Sequence, residues 1–179
     1  WFLALVVLLI TVGTTVEAQP ASDTGVSVET TYLKNIRQVT SGFVKAGEGY
    51  FSPDATQIIY QAITKDYPFY QIYTQPLVGG RPRMLSTGRG RTTCSYFSLD
   101  GKRIMYSSSH TDPQMTETEQ AEIKQQAEDR KNGVRRRYSW PFDPHTDMYV
   151  ADLDGNILKR LTTADGYDAE GAYSSDGKW

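Results

Sequence analysis

Cysteine is nearly absent. Cys94 stands alone, so no internal disulfide can staple the chain. Histidine is almost as scarce, with only His110 and His145 present. Nor does one sign of charge dominate. Nineteen Lys and Arg face 21 Asp and Glu, which leaves no overall field to recruit nucleic acid or an anionic lipid surface. No Gly-x-Ser-x-Gly elbow, His-Glu-x-x-His pair or phosphate-binding loop occurs, and Gly88-Arg89-Gly90 alone is a weak phosphate signal. Helical patterning is confined to one stretch. Tyrosine, by contrast, is abundant at 12 residues, as expected of half-exposed sheets.

What is present is a repeat. Tyr96-Phe97-Ser98-Leu99-Asp100-Gly101-Lys102-Arg103-Ile104-Met105-Tyr106 repeats the pattern of Tyr50 to Tyr60 and begins again at Ala172 to Trp179. An aromatic and a Ser lead into a polar turn, Asp54-Ala55 or Asp100-Gly101, and then into alternating apolar residues. This predicts a hairpin closed by a tight primed turn. Phe51 and Phe97 stand 46 residues apart, as do Val39 and Leu85. Phe97 and Tyr173 stand 76 apart, as do Ile72 and Met148, and Leu85 and Leu161. One unit therefore carries 30 extra residues between Tyr106 and Met148. A four-strand unit recurring every ~40 to 50 residues is the mark of a β-propeller blade.

Phe-Ser-Pro-Asp at 51–54, Phe-Ser-Leu-Asp-Gly-Lys at 97–102, Met-Tyr-Val-Ala-Asp-Leu-Asp-Gly-Asn followed by Arg-Leu-Thr over 148–162, and Tyr-Asp-Ala-Glu-Gly-Ala-Tyr-Ser-Ser-Asp-Gly-Lys-Trp at 167–179 resemble the WD-like repeats of the TolB propeller family. The resemblance covers about residues 36–179. Ala55 departs from the usual Gly and Leu99 from the usual Pro. The resemblance implies an all-β fold, a β-propeller of four-stranded blades, about two of them complete here and six in the full-length protein. Two functions follow from it. One is an exported, non-enzymatic scaffold for protein partners in the cell envelope, as in the Tol system. The other is the N-terminal propeller of a prolyl-oligopeptidase-type serine peptidase whose catalytic domain lies beyond Trp179.

Residues 1–13 form an uncharged apolar run, short for a bilayer span and suited to a signal-peptide core. Val16-Glu17-Ala18 predicts cleavage after Ala18, hence a periplasmic or secreted protein with no membrane contact after cleavage; an uncleaved anchor is the rival reading. Residues 19–35 read as a flexible leader. The lack of an initiating Met, and an end at Trp179 inside a hairpin, predict a fragment at both ends. Blade 1 is expected over about 47–88, with strands near 47–52, 57–62, 69–75 and 82–86. Blade 2 is expected over about 93–163, with strands near 93–98, 102–108, 147–152 and 157–162. Blade 3 begins at about 168–179. Residues 36–40 match the outer-strand segment Lys159 to Thr162 and are expected to complete the final blade, which would remove an exposed sheet edge.

The insertion spans about 111–142. Asp112-Pro113 suits a helix start and Gly133 a helix stop, so a helix is expected from Pro113 to Lys131, with Glu117, Glu119 and Glu122 early and Arg130 and Lys131 late, as the dipole favours. Met115, Ile123 and Ala127 are its few apolar positions, which predicts a surface helix projecting from the ring. Arg135-Arg136-Arg137-Tyr138-Ser139-Trp140-Pro141-Phe142 follows, readable as a solvated turn pinned by its aromatics or as a partner-binding patch. Strand alternation puts the insertion on the same face as the outer-to-inner connections, which contain Asp168. Glu48 and Glu170 are equivalent by register, with Cys94 in the same place in the middle unit, where a small buried hydrophobe is expected. Glu48, Asp168, Glu170, Arg135, Arg136, Arg137, Tyr138 and Trp140 thus make up the candidate partner-binding face. His110 and His145, with Asp112, Asp143 and Asp147 nearby, bracket the insertion and are candidate metal ligands, though these residues also suit turns and caps. No metal, cofactor, catalytic residue or small-molecule substrate is assigned; the partner expected is a protein.

Overall fold

The computed structural model describes residues 32–137 and 139–179. The predicted signal sequence, its cleavage site and most of the leader lie outside the described residues, as does Tyr138. Two units divide the chain. Residues 32–37 lie in the first and are exposed, and the second runs from Gln38 to Trp179. Among the described residues no helix is long and apolar enough to cross a membrane.

The second unit is built on two antiparallel sheets. The first holds β1 (Lys45–Phe51), β2 (Gln57–Ile63), β3 (Gln71–Pro76) and β4 (Arg83–Met84) in sequence order. The second holds β5 (Thr92–Phe97), β6 (Arg103–Ser108), β7 (His145–Asp152) and β8 (Ile157–Arg160), also in order. A helix, α1 (Met115–Asn132), interrupts the second sheet between β6 and β7. The short β9 (Gly166–Tyr167) pairs parallel with the start of β7.

The repeat seen in the sequence is a repeat of bonds. In the first turn the Ser52 hydroxyl donates to Asp54 Oδ1 at 2.6 Å and accepts from the Gln57 amide. Ser98, Asp100 and Arg103 repeat this in the second turn, and Ser174, Asp176 and Trp179 in the third. These turns are not the primed type expected. Only the residue after the Asp is left-handed, at φ 54° for Ala55, 66° for Gly101 and 68° for Gly177. The Ser–Asp pair, rather than a second positive φ, closes the loop.

Cross-strand tyrosines also recur. Tyr60 pairs with Tyr73 and Tyr106 with Tyr149, each couple stacked with centroids 6.2 and 6.1 Å apart. Between the sheets, Ile59, Ile72 and Leu85 of the first pack against Phe97, Ile104, Tyr106, Tyr149 and Ala151 of the second. Each fully buried Ile or Leu there contributes roughly 1.5–3 kcal/mol. This shared core, not either sheet alone, is what holds the pair together.

Each inner strand carries the same irregularity. Register slips between Gly47 and Tyr50 in β1 and between Thr93 and Tyr96 in β5, and Glu48 and Cys94 sit at φ 48° and 53°. Glu170 repeats the conformation at φ 63°. Such a bulge bends and twists its strand. Cys94 is therefore only partly buried, not a fully buried hydrophobe.

Two expected strands differ. Residues 36–40 are not a strand, although the Val39 carbonyl accepts from Gln75 Nε2 at 2.8 Å. Beyond β9, residues 168–179 form a turn without strand pairing. A strand needs a partner, and for both segments none is present among the described residues.

Candidate functional site

The face that gathers the insertion is made where β2 turns into β3, β4 into β5 and β6 into α1. The helix starts two residues later than expected, with Gln114 at its N-cap and no side-chain cap bond. Asp112 instead accepts the Gln114 amide at 2.8 Å, so it closes a turn ahead of the helix. Gly133 ends it at φ 66°, with its own amide on Arg130 O and that of Val134 on Asp129 O.

The inward stripe of α1 is acidic rather than apolar. Met115, Thr118, Glu119, Glu122, Gln126 and Asp129 are the shielded residues, while Ile123 and Ala127 face solvent. The helix does not project freely. Glu119 Oε1 accepts from Tyr67 at 2.6 Å and from the Gly90 amide at 3.2 Å, and its Oε2 meets Arg89 at 3.0 Å. Burial pushes the Glu119 carboxyl up, but the bonds from Tyr67, Arg89 and Gly90 outweigh it and hold it below the usual range. Tyr67 is correspondingly driven well above its ordinary value, first by burial and then by this carboxylate. The Gly88 amide is taken by Gln71 Oε1 at 3.0 Å, so the amides of this loop serve the fold and not a phosphate. Gly90 is pressed so close that a Cβ there would lie 2.6 Å from His110 N.

After the helix the chain folds back along it. Arg136 is bound to Glu122 and Asp129, both at 2.6 Å, and so is spent on α1 itself. Arg137 and Trp140 line a cleft of about 420 Å³ together with Lys45, Phe69, Tyr70 and Arg91. Trp140 Nε1 donates to Tyr167 Oη at 2.7 Å, and its ring lies 6.2 Å from that of Tyr70. Arg91 lies over the Phe69 ring at 4.1 Å, with Asp143 3.7 Å away. Arg135 is exposed outside this lining.

The acidic residues predicted for this face form a separate row on the bulges. Glu48 Oε2 accepts from Thr93 at 3.3 Å and lies 3.9 Å from Cys94 Sγ, and the backbone of Glu170 bonds to the same sulfur. Burial pushes the Cys94 thiol up, and the charges of Glu48 and Glu170 add to it. Asp168 enters through its backbone, its amide on Thr146 O at 2.9 Å. The Thr92 amide makes the equivalent bond to Tyr70 O, so this contact joins successive sheets. Sequence reasoning missed Glu119, Tyr67 and Phe69. The run of Glu at 117, 119 and 122 was legible, but not which of them faces inward.

The histidines go to different tasks. His110 sits 4.5 Å from the Tyr149 ring with Nδ1 on Ser108, and burial lowers its pKa. His145 faces Asp112 at 3.8 Å. Among the described residues no three His, Cys, Asp or Glu converge as metal ligands.

No protein-family profile matches the chain, and no curated protein matches it. Among solved structures it is similar to TolB from Acinetobacter baumannii, with 20% identity and a TM-score of 0.50 over 78% of this chain and 26% of that one. It is also similar to a TolB-type protein from Agrobacterium tumefaciens, with 16% identity and a TM-score of 0.49 over 72% of this chain and 37% of that one. The chain thus spans well under half the length of these neighbours. Its fold is that of part of a TolB-like propeller.

Proposed function

We propose that this chain is part of an exported, non-enzymatic β-propeller that acts as a protein-interaction scaffold in the cell envelope, with the insertion face as its recognition surface. In the full-length protein the ring would hold about six blades, as the TolB-like fold implies. One observation carries the reading. The Glu119 clamp fixes α1 rigidly to the face, while Arg137 and Trp140 are left lining an open cleft beside it. A clamped element that presents Arg and Trp in a hollow has the composition of an interface centre. Export rests on the apolar run at 1–13 and the Val16-Glu17-Ala18 site.

The test uses the full-length protein with a photocrosslinking residue at position 140, or at position 78 in the exposed β3–β4 turn. Crosslinks to an envelope protein from position 140 and none from position 78 support the reading. A second version replaces Asp112 to Phe142 with a short Gly-Ser linker; the propeller is expected to stay folded and to lose that partner. Unfolding of this version, or an unchanged partner, overturns the assignment.

A further inference from the structure

The cleft beside Trp140 does not end at Arg91. A second hollow of about 410 Å³ shares Arg91 and Pro141 with the first and runs on past Phe142 to Asp112, Asp143 and His145. The two therefore adjoin along one groove, with Arg91 and Pro141 at the junction. Its polarity reverses along its length. In the first hollow Glu122 is consumed by Arg136, and Arg137 is the exposed cation beside an aromatic floor of Phe69, Tyr70 and Trp140. Arg137 makes no hydrogen bond or ion pair among the described residues. In the second hollow the nearly buried carboxylates of Asp112, which accepts the Gln114 amide, and of Asp143, 3.7 Å from Arg91, lie beside His145 and an exposed Phe142.

Resting on the scaffold reading above, we propose that this groove binds an extended segment of a partner protein. That segment carries an acidic and an aromatic side chain for the first hollow and a basic one for the second. Length decides for a peptide over a small molecule. A compact aromatic acid would fill one hollow and leave the other end of the groove unmatched, whereas an extended chain covers about 3.3–3.6 Å per residue and can reach both. Charge decides the direction of binding, since a segment with its charges in the opposite order would place like charges together at both ends. The floor suits the acidic end, because an aromatic side chain can stack on Tyr70 and Trp140 while its neighbouring carboxylate meets the Arg137 fork.

The test is fluorescence anisotropy with the full-length protein and a labelled, end-blocked peptide of about seven residues that begins Glu-Phe and ends in Lys. Its competitors are the same composition in reverse order, and free phenylacetate. The forward peptide is expected to bind, the reversed one at least about tenfold more weakly, and phenylacetate to compete only far above the peptide's own concentration. Arg137→Glu and Trp140→Ala are each expected to weaken binding about tenfold or more, with Trp140→Phe restoring most of it. Arg81→Glu, in the β3–β4 turn, should leave it unchanged. Equal binding of the two peptides, equally strong competition by phenylacetate, or indifference to Arg137→Glu in a folded protein each overturns the proposal. If the insertion-deleted protein loses its partner while Arg137→Glu retains it, the scaffold reading stands and the groove assignment falls.

Discussion

Tyr60 and Tyr106 occupy the same position in successive sheets, yet only one hydroxyl is satisfied. Tyr60 donates to Gln75 Oε1 at 2.6 Å, while the buried Tyr106 hydroxyl has no partner among the described residues. The counterpart of Gln75 in the second sheet is Ala151. Burial pushes both phenols up to about 12, so neither ionises near neutral pH. Tyr60→Phe should cost about 1 kcal/mol, and Tyr106→Phe should be neutral or stabilising by up to about 1 kcal/mol. Urea unfolding of the two variants, with equal slopes, checks the contrast.

Glu119 makes attachment of the helix dependent on pH. Its folded pKa lies below the ordinary 4.5, so its contribution is fully present above that value and is lost as pH falls through the folded pKa. Hydrogen-exchange protection of the α1 amides, relative to the intrinsic rate at each pH, should therefore fall selectively in acid, before that of the two sheets. Glu119→Gln should show the faster exchange already at neutral pH, with Tyr67→Phe giving a smaller effect.

Two backbone positions should respond in opposite directions. Ala55 holds a left-handed conformation where its two counterparts are Gly101 and Gly177, so Ala55→Gly should stabilise by up to about 1 kcal/mol. Gly90→Ala drives a methyl into the His110 backbone and should cost about 3 kcal/mol. Thermal melts of both variants give the sign.

Cys94 should react slowly. Burial and the neighbouring Glu48 and Glu170 charges raise its pKa, so the thiolate is scarcer at neutral pH than in a free cysteine. Iodoacetamide labelling of the folded protein should lag behind that of the unfolded chain, and Glu48→Gln should speed it.

Much of this was legible in the residues, and what was missed has a common cause. Spacing alone located the repeated turns, because Ser52, Ser98 and Ser174 act within five residues of their partners. The paired tyrosines were likewise in register. The helix was legible from Asp112-Pro113 and Gly133, but its thin apolar stripe of Met115, Ile123 and Ala127 was read as that of a helix projecting from the surface. A polar contact docks it instead, since Tyr67, Arg89 and the Gly90 amide all bind Glu119. Local periodicity cannot reveal partners 30 residues away, and Arg89 is that far from Glu119. Within the site, Arg137 and Trp140, expected on the partner-binding face, line the cleft, whereas Arg136 next to them is taken up by the helix.

The bulges at Glu48, Cys94 and Glu170 set more than local twist. Along that row the contacts between neighbouring sheets are short and polar, and small residues flank it; a Cβ at Gly171 would lie 2.7 Å from Met148 Sδ. Farther out, the gap is filled by Ile72, Leu85, Tyr106 and Tyr149. Thin filling on one side and thick filling on the other make the interface between the two sheets a wedge, so the tilt of one sheet against the other follows from the difference in side-chain bulk between its inner and outer rows.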